Sequence, residues 1–117
     1  PLVLAWLFAL FLLTGGIALA AAPSVTVTGT QPGIGVATID VSYSYQNAPT
    51  AKGVRITVSN PPNNPVASVF PIGANGKGSG LVQTPWANTQ VTVVVELLDA
   101  QGRVIPPASA PATGTTR

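Results

Sequence analysis

The sequence predicts an α+β protein: an N-terminal hydrophobic α-helix, then an antiparallel immunoglobulin-like β-sandwich of about seven strands. Three observations lead there. Apolar residues crowd into the first 22 positions, and no charged residue occurs before Asp40. From Pro23 onward the apolar residues alternate with polar ones, the period of a half-buried strand. Turn residues then punctuate the chain at short intervals, as they do in all-β sandwiches.

Residues 1–22 read PLVLAWLFALFLLTGGIALAAA. Leu and Ala dominate, and both favour helix. Pro1 suits a first helical turn, because its missing N–H would have no helical partner. Pro23 disfavours helix in the residue before it. At about 1.5 Å per residue such a helix spans roughly 33 Å, close to the hydrocarbon thickness of a bilayer. It has no polar face, so it must be buried all round, in lipid or among copies of itself. The expected packing residues are Leu2, Leu4, Trp6, Leu7, Phe8, Phe11, Leu12 and Ile17. Gly15 and Gly16 would let neighbouring backbones approach closely, and they also weaken the helix locally. A secretory signal peptide, with Ala18-Leu19-Ala20 as its cleavage motif, and a plain membrane anchor are the competing readings of this segment.

The strands follow in order. Residues 24–29 place Val25 and Val27 on one face. Residues 36–45 place Ile39, Val41, Tyr43 and Tyr45 inward. Residues 53–60 do the same with Val54, Ile56 and Val58. Weaker runs cover 66–70 and 79–84. Residues 89–98 carry Val91, Val93, Val95 and Leu97 on one face, with Val94 and Leu98 on a second, partly covered face. Asp99 to Gly102 form a turn into Arg103–Ile105. The organisation is therefore a hydrophobic polymerisation or membrane helix at 1–22, a sandwich head at 23–105 and a Pro/Thr-rich tail at 106–117.

Composition removes several function classes. Charged residues are 7%, against about 25% in an ordinary soluble domain. The chain has no His and no Cys, so neither a Ser-His-Asp triad, a cysteine nucleophile nor an ordinary zinc site is available. No cofactor and no enzymatic activity are expected. Five scattered bases make a thin footprint for nucleic acid. Asp40, Glu96 and Asp99 are the only acids. Asp99 starts a turn, where Asp commonly accepts backbone hydrogen bonds. The Gly73–Gly80 stretch lacks the G-x-x-x-x-G-K-[ST] spacing and a following helix, so it reads as a flexible β-connection and not a phosphate loop. Tyr43 and Tyr45 read as core. Trp86, in a loop, either caps the sandwich or makes a contact between head domains. Ser and Thr total 20 of 117 residues, which fits an outer surface polar through hydroxyls.

This plan resembles a mature archaeal type IV pilin. The resemblance rests on the apolar run Leu2–Leu13 that opens the chain without Met, on its extreme N-terminal position, and on the Ser/Thr-rich sandwich behind it. Bacterial members have glutamate at the fifth position. Ala5 stands here, which points to the archaeal branch. The resemblance implies a structural subunit of an extracellular filament on the cell surface, made for adhesion or surface contact. It implies a homopolymer joined through the N-terminal helix, held in the cytoplasmic membrane before assembly and built by a dedicated secretion machinery. A membrane-anchored immunoglobulin-like binding module and a donor-strand fibre subunit are the alternatives.

Overall fold

The computed structural model describes residues 21–117. Eight strands run through them: β1 Ser24–Pro32, β2 Thr38–Gln46, β3 Gly53–Ser59, β4 Val66–Pro71, β5 Lys77–Gln83, β6 Gln90–Leu98, β7 Val104–Ile105 and β8 Ala112–Thr115. One sheet has the order β1-β2-β5. The second has the order β4-β3-β6-β7, with β8 also pairing β6. All pairings are antiparallel.

The α+β class is corrected by this architecture. Among the described residues the chain is nearly all β, and its one helical element is the three-residue 3-10 turn Ala74–Gly76. No helix among these residues is long and apolar enough to cross a membrane, so the transmembrane helix and the helix-plus-head plan of a pilin are not what they form. The physical reason lies in the periodicity: from Ser24 the apolar residues recur every second position, which suits strands and no helix. The expected packing residues, Leu2 to Ile17, lie outside the described residues.

The alternation sets the core. Ile39, Val41 and Tyr43 of β2 face Val54, Ile56 and Val58 of β3 and Val91, Val93, Val95 and Leu97 of β6 in one buried cluster. Buried and less buried residues alternate along β3 and along β6 as far as Leu97, while Val94 and Leu98 make the outer face of β6 partly apolar. In constant-type immunoglobulin domains the fourth strand joins the sheet of the first and second. Here β4 pairs β3 in the opposite sheet, with Val54 against Phe70 and Val58 against Val66.

Two expectations change in detail. The Gly-rich stretch is not a free connection, because β5 begins inside it at Lys77. Gly78 pairs with Tyr43, and a Cβ on it would lie 2.4 Å from the Tyr43 hydroxyl. A Cβ on Gly80 would lie 2.7 Å from the Phe70 ring, which reaches across from the other sheet. The glycines are strand residues whose missing side chains admit two aromatic rings.

The Pro/Thr-rich segment expected at 106–117 carries β8. It continues the last strand along β6. Val104 and Ile105 pair with Leu98 and Leu97, and Ala112 to Thr115 pair with Val93 to Gln90. The prolines between them have no N–H to give the ladder. Ser109 bridges the gap: its N–H donates to Val95 O (2.9 Å), and its hydroxyl accepts from Val95 N–H (2.8 Å).

Candidate interaction site

Strand direction gives the sandwich two distinct ends. β1 starts at Ser24, so Ser24, the 47–52 loop, the 72–76 loop and the 99–103 turn share the proximal end. The 33–37 loop, the 60–65 loop, the 84–89 loop and Arg117 share the distal end.

The distal 33–37 loop joins β1 to β2 with the sequence Gly-Ile-Gly-Val-Ala. It turns its large side chains into solvent: Ile34 is 92% exposed and Val36 75%. It is nevertheless tightly braced. Gly33 N–H donates to Thr38 O (3.0 Å), and the Thr38 hydroxyl donates to Gly35 O (2.6 Å). Ala37 N–H donates to Arg117 O (2.7 Å), and Thr84 N–H donates to Ala37 O (3.0 Å). Gln83 Nε2 donates to Val36 O (3.0 Å), and the Arg117 guanidinium donates to Gly33 O. Gly33 must be glycine, since a Cβ there would fall 2.1 Å from Thr38 Oγ1. Ala37 holds φ at 61°, a left-handed conformation that costs a residue with a Cβ roughly 1–2 kcal/mol. The surrounding bonds hold it there. The loop is thus a fixed apolar knob.

Beside it, Trp86 is half-buried and packs on the distal end of the core. Its N–H donates to the Thr84 hydroxyl (3.1 Å), and its carbonyl accepts from the buried Thr116 hydroxyl. Trp86 is the one sequence-predicted site residue among those the structure describes.

The proximal end is concave. A shallow, open depression of about 440 Å³ is lined by Lys52, Gly53, Val69, Pro71, Leu98 and Asp99, among others. Its apolar character comes from outward residues that a strand pattern normally makes polar: Val69 is 64% exposed, and Leu98 forms a buried outer patch at 5%.

The charged residues are separately committed. Arg55 and Glu96 are register partners on β3 and β6 and form an ion pair at 2.7 Å. Asp99 Oδ1 accepts from Gln101 N–H and Arg103 N–H (both 2.9 Å), and Oδ2 accepts from Arg103 Nε (3.2 Å). The Arg103 amide, foremost among these bonds, holds the Asp99 carboxyl below its ordinary value. Asp40 accepts from the Gln31 amide (3.4 Å). Among the described residues no three His, Cys, Asp or Glu side chains gather where they could hold a metal. Sequence reading missed Ile34 and Val36. The signal was present, in an uncharged Gly-Ile-Gly-Val turn where polar turn residues are the rule.

No protein-family model and no curated protein sequence matches the chain. Solved structures do. Wild-type OgpA from Akkermansia muciniphila is similar at 20% identity with a TM-score of 0.53, over 80% of this chain and 27% of that one. Catalytically inactive OgpA from the same organism, in complex with an O-glycopeptide (glycodrosocin) substrate, is similar at 19% identity with a TM-score of 0.52, over 80% of this chain and 28% of that one. The likeness is one of fold, and the chain spans just over a quarter of OgpA.

Proposed function

We propose that this chain is a structural subunit of an extracellular filament, with the sandwich as its outward head. The observation that carries the reading is the braced apolar knob at Ile34 and Val36. Two neighbouring aliphatic side chains held in water by a braced loop offer an apolar contact for a neighbouring copy to cover. Residues 1–22 carry no charge and are mostly apolar, a composition that favours burial. The hydroxyl-rich, charge-poor composition of the sandwich suits an assembly that varies little with salt.

Sedimentation velocity on the full chain tests this. The filament reading predicts large, length-dispersed species without detergent. A single monomeric boundary across the concentration range overturns it. An anchored binding module is the second reading, favoured by the occurrence of the same fold within the longer OgpA chain. It predicts a monomer with a separate partner.

A further inference from the structure

We infer that β5 is a strand-addition edge, and that the β5 of a second copy takes it, antiparallel, about a two-fold axis at Leu81. The inference goes beyond the filament reading. Such a pair closes on itself, while a filament needs a contact that propagates.

The two sheets have four edges among the described residues, and three of them are blunted. β1 is bulged between Val27 and Gly29 and ends at Pro32, and its Thr30 hydroxyl donates to Thr113 O of β8 (3.0 Å). β4 follows Pro65 and ends at Pro71. The β7–β8 edge is interrupted by Pro106, Pro107 and Pro111. Proline has no N–H for a further ladder. Bulges and prolines are the means by which sheet edges avoid stray pairing. β5 has neither, and its one charge, Lys77, stands at its first position. It ends its sheet, and no strand lies beyond it among the described residues.

The ladder fixes which backbone groups are free. Thr38 O accepts from Gly33 N–H on the β1 side of β2, and Ala37 O accepts from Thr84 N–H on the β5 side. Backbone groups point alternately to the two sides of a strand. The register pairs Ile39 with Val82 and Val41 with Gly80 therefore bond each other, and Ser79, Leu81 and Gln83 aim N–H and C=O at the open edge. These groups fit an extended backbone. In a second copy only β5 offers such an unblunted run. Antiparallel pairing at Leu81 sets it against its own counterpart, and Ser79 against the second copy's Gln83, with about six backbone hydrogen bonds. The side chains suit that register. Leu81 is 43% exposed and lies against Gly33, beside the Ile34–Val36 knob, so pairing covers both leucines at the axis. Lys77 falls opposite Pro85, beyond the strand. The two lysines then stand about 27 Å apart, well past the screening length.

The chain has no cysteine, so introduced thiols report the register. Ser79, Leu81 and Gln83 are all exposed, so cysteine there leaves the core intact. In the full chain, oxidised glutathione is expected to link Leu81→Cys to itself as a dimer, because directly opposite Cα atoms lie about 5.5 Å apart, within disulfide reach. Ser79→Cys and Gln83→Cys are expected to link when mixed before oxidation. Alone, each is expected to stay unlinked, since its own counterpart lies about 14 Å away. Adding Leu81→Lys to both chains is expected to cut the mixed linkage about tenfold, because two like charges then stand opposite each other. Equal linkage of all three single variants, or linkage of none, overturns the pairing. Filaments without this pattern overturn the pairing and leave the filament reading standing. The pattern without filaments supports the pairing and overturns the filament reading. Neither pattern nor filaments overturns both.

Discussion

Tyr43 and Tyr45 clamp the backbone of Gly73 from both sides. The Gly73 N–H donates to the Tyr43 hydroxyl (2.9 Å), and the Tyr45 hydroxyl donates to the Gly73 carbonyl. This fixes the 72–76 loop over the proximal end of the core. Tyr43→Phe leaves the Gly73 amide without that acceptor and is expected to cost about 1–3 kcal/mol in urea unfolding. Tyr45→Phe removes one ordinary hydrogen bond and is expected to cost about 1 kcal/mol. The pH profile belongs to the same scale. Burial, partly opposed by the Gly73 bond, raises the Tyr43 hydroxyl above its ordinary value of 10.0. A phenol raised in the folded state binds its proton more tightly there. Its contribution is complete below pH 10 and declines as pH rises toward the folded value. Asp99 acts in the opposite sense. Its lowered carboxyl contributes above its ordinary value of 3.8 and loses that contribution as pH falls toward the folded value. Melting temperatures are therefore expected to be flat between about pH 5 and 9, falling at both extremes. Asp99→Ala should flatten the acid limb, and Tyr43→Phe the alkaline limb.

At the scale of elements, alternation made β2, β3 and β6 legible, because each has one face in the core and a side-chain period of two. Their inward residues from Ile39 to Leu97 were readable without coordinates. β5 was only half legible. Gly78 and Gly80 look like loop residues, and what makes them strand is the Tyr43 ring beside one and the Phe70 ring over the other. That information is tertiary. β8 was hidden for a related reason: three prolines, at 106, 107 and 111, break the ladder, and pairing resumes only through Ser109 and then Ala112. The knob escaped because its apolar residues sit in a turn, where a pattern search expects polar ones. Gly78→Ala measures the cost of filling the space over β5. The added methyl meets the Tyr43 hydroxyl, and overpacking of this kind is expected to destabilise by about 1–3 kcal/mol. Thermal unfolding reads it directly. An unchanged melting temperature would mean that Tyr43 moves aside freely.

For the whole molecule, the two ends of the sandwich differ in chemistry. Lys52, Lys77, Asp99 and Arg103 lie at the proximal end with the depression. The distal end presents aliphatic side chains, with Arg117 engaged on the Gly33 carbonyl. An end-to-end difference of this kind gives the head a direction. The fold itself is indifferent to this outcome, since similar sandwiches serve many roles. The distinguishing features are the exposed surfaces at the two ends. Electron microscopy of native material sheared from cells and kept free of detergent tests the central claim most directly. The account predicts thin, uniform filaments. Dispersed single particles in the same material would contradict it.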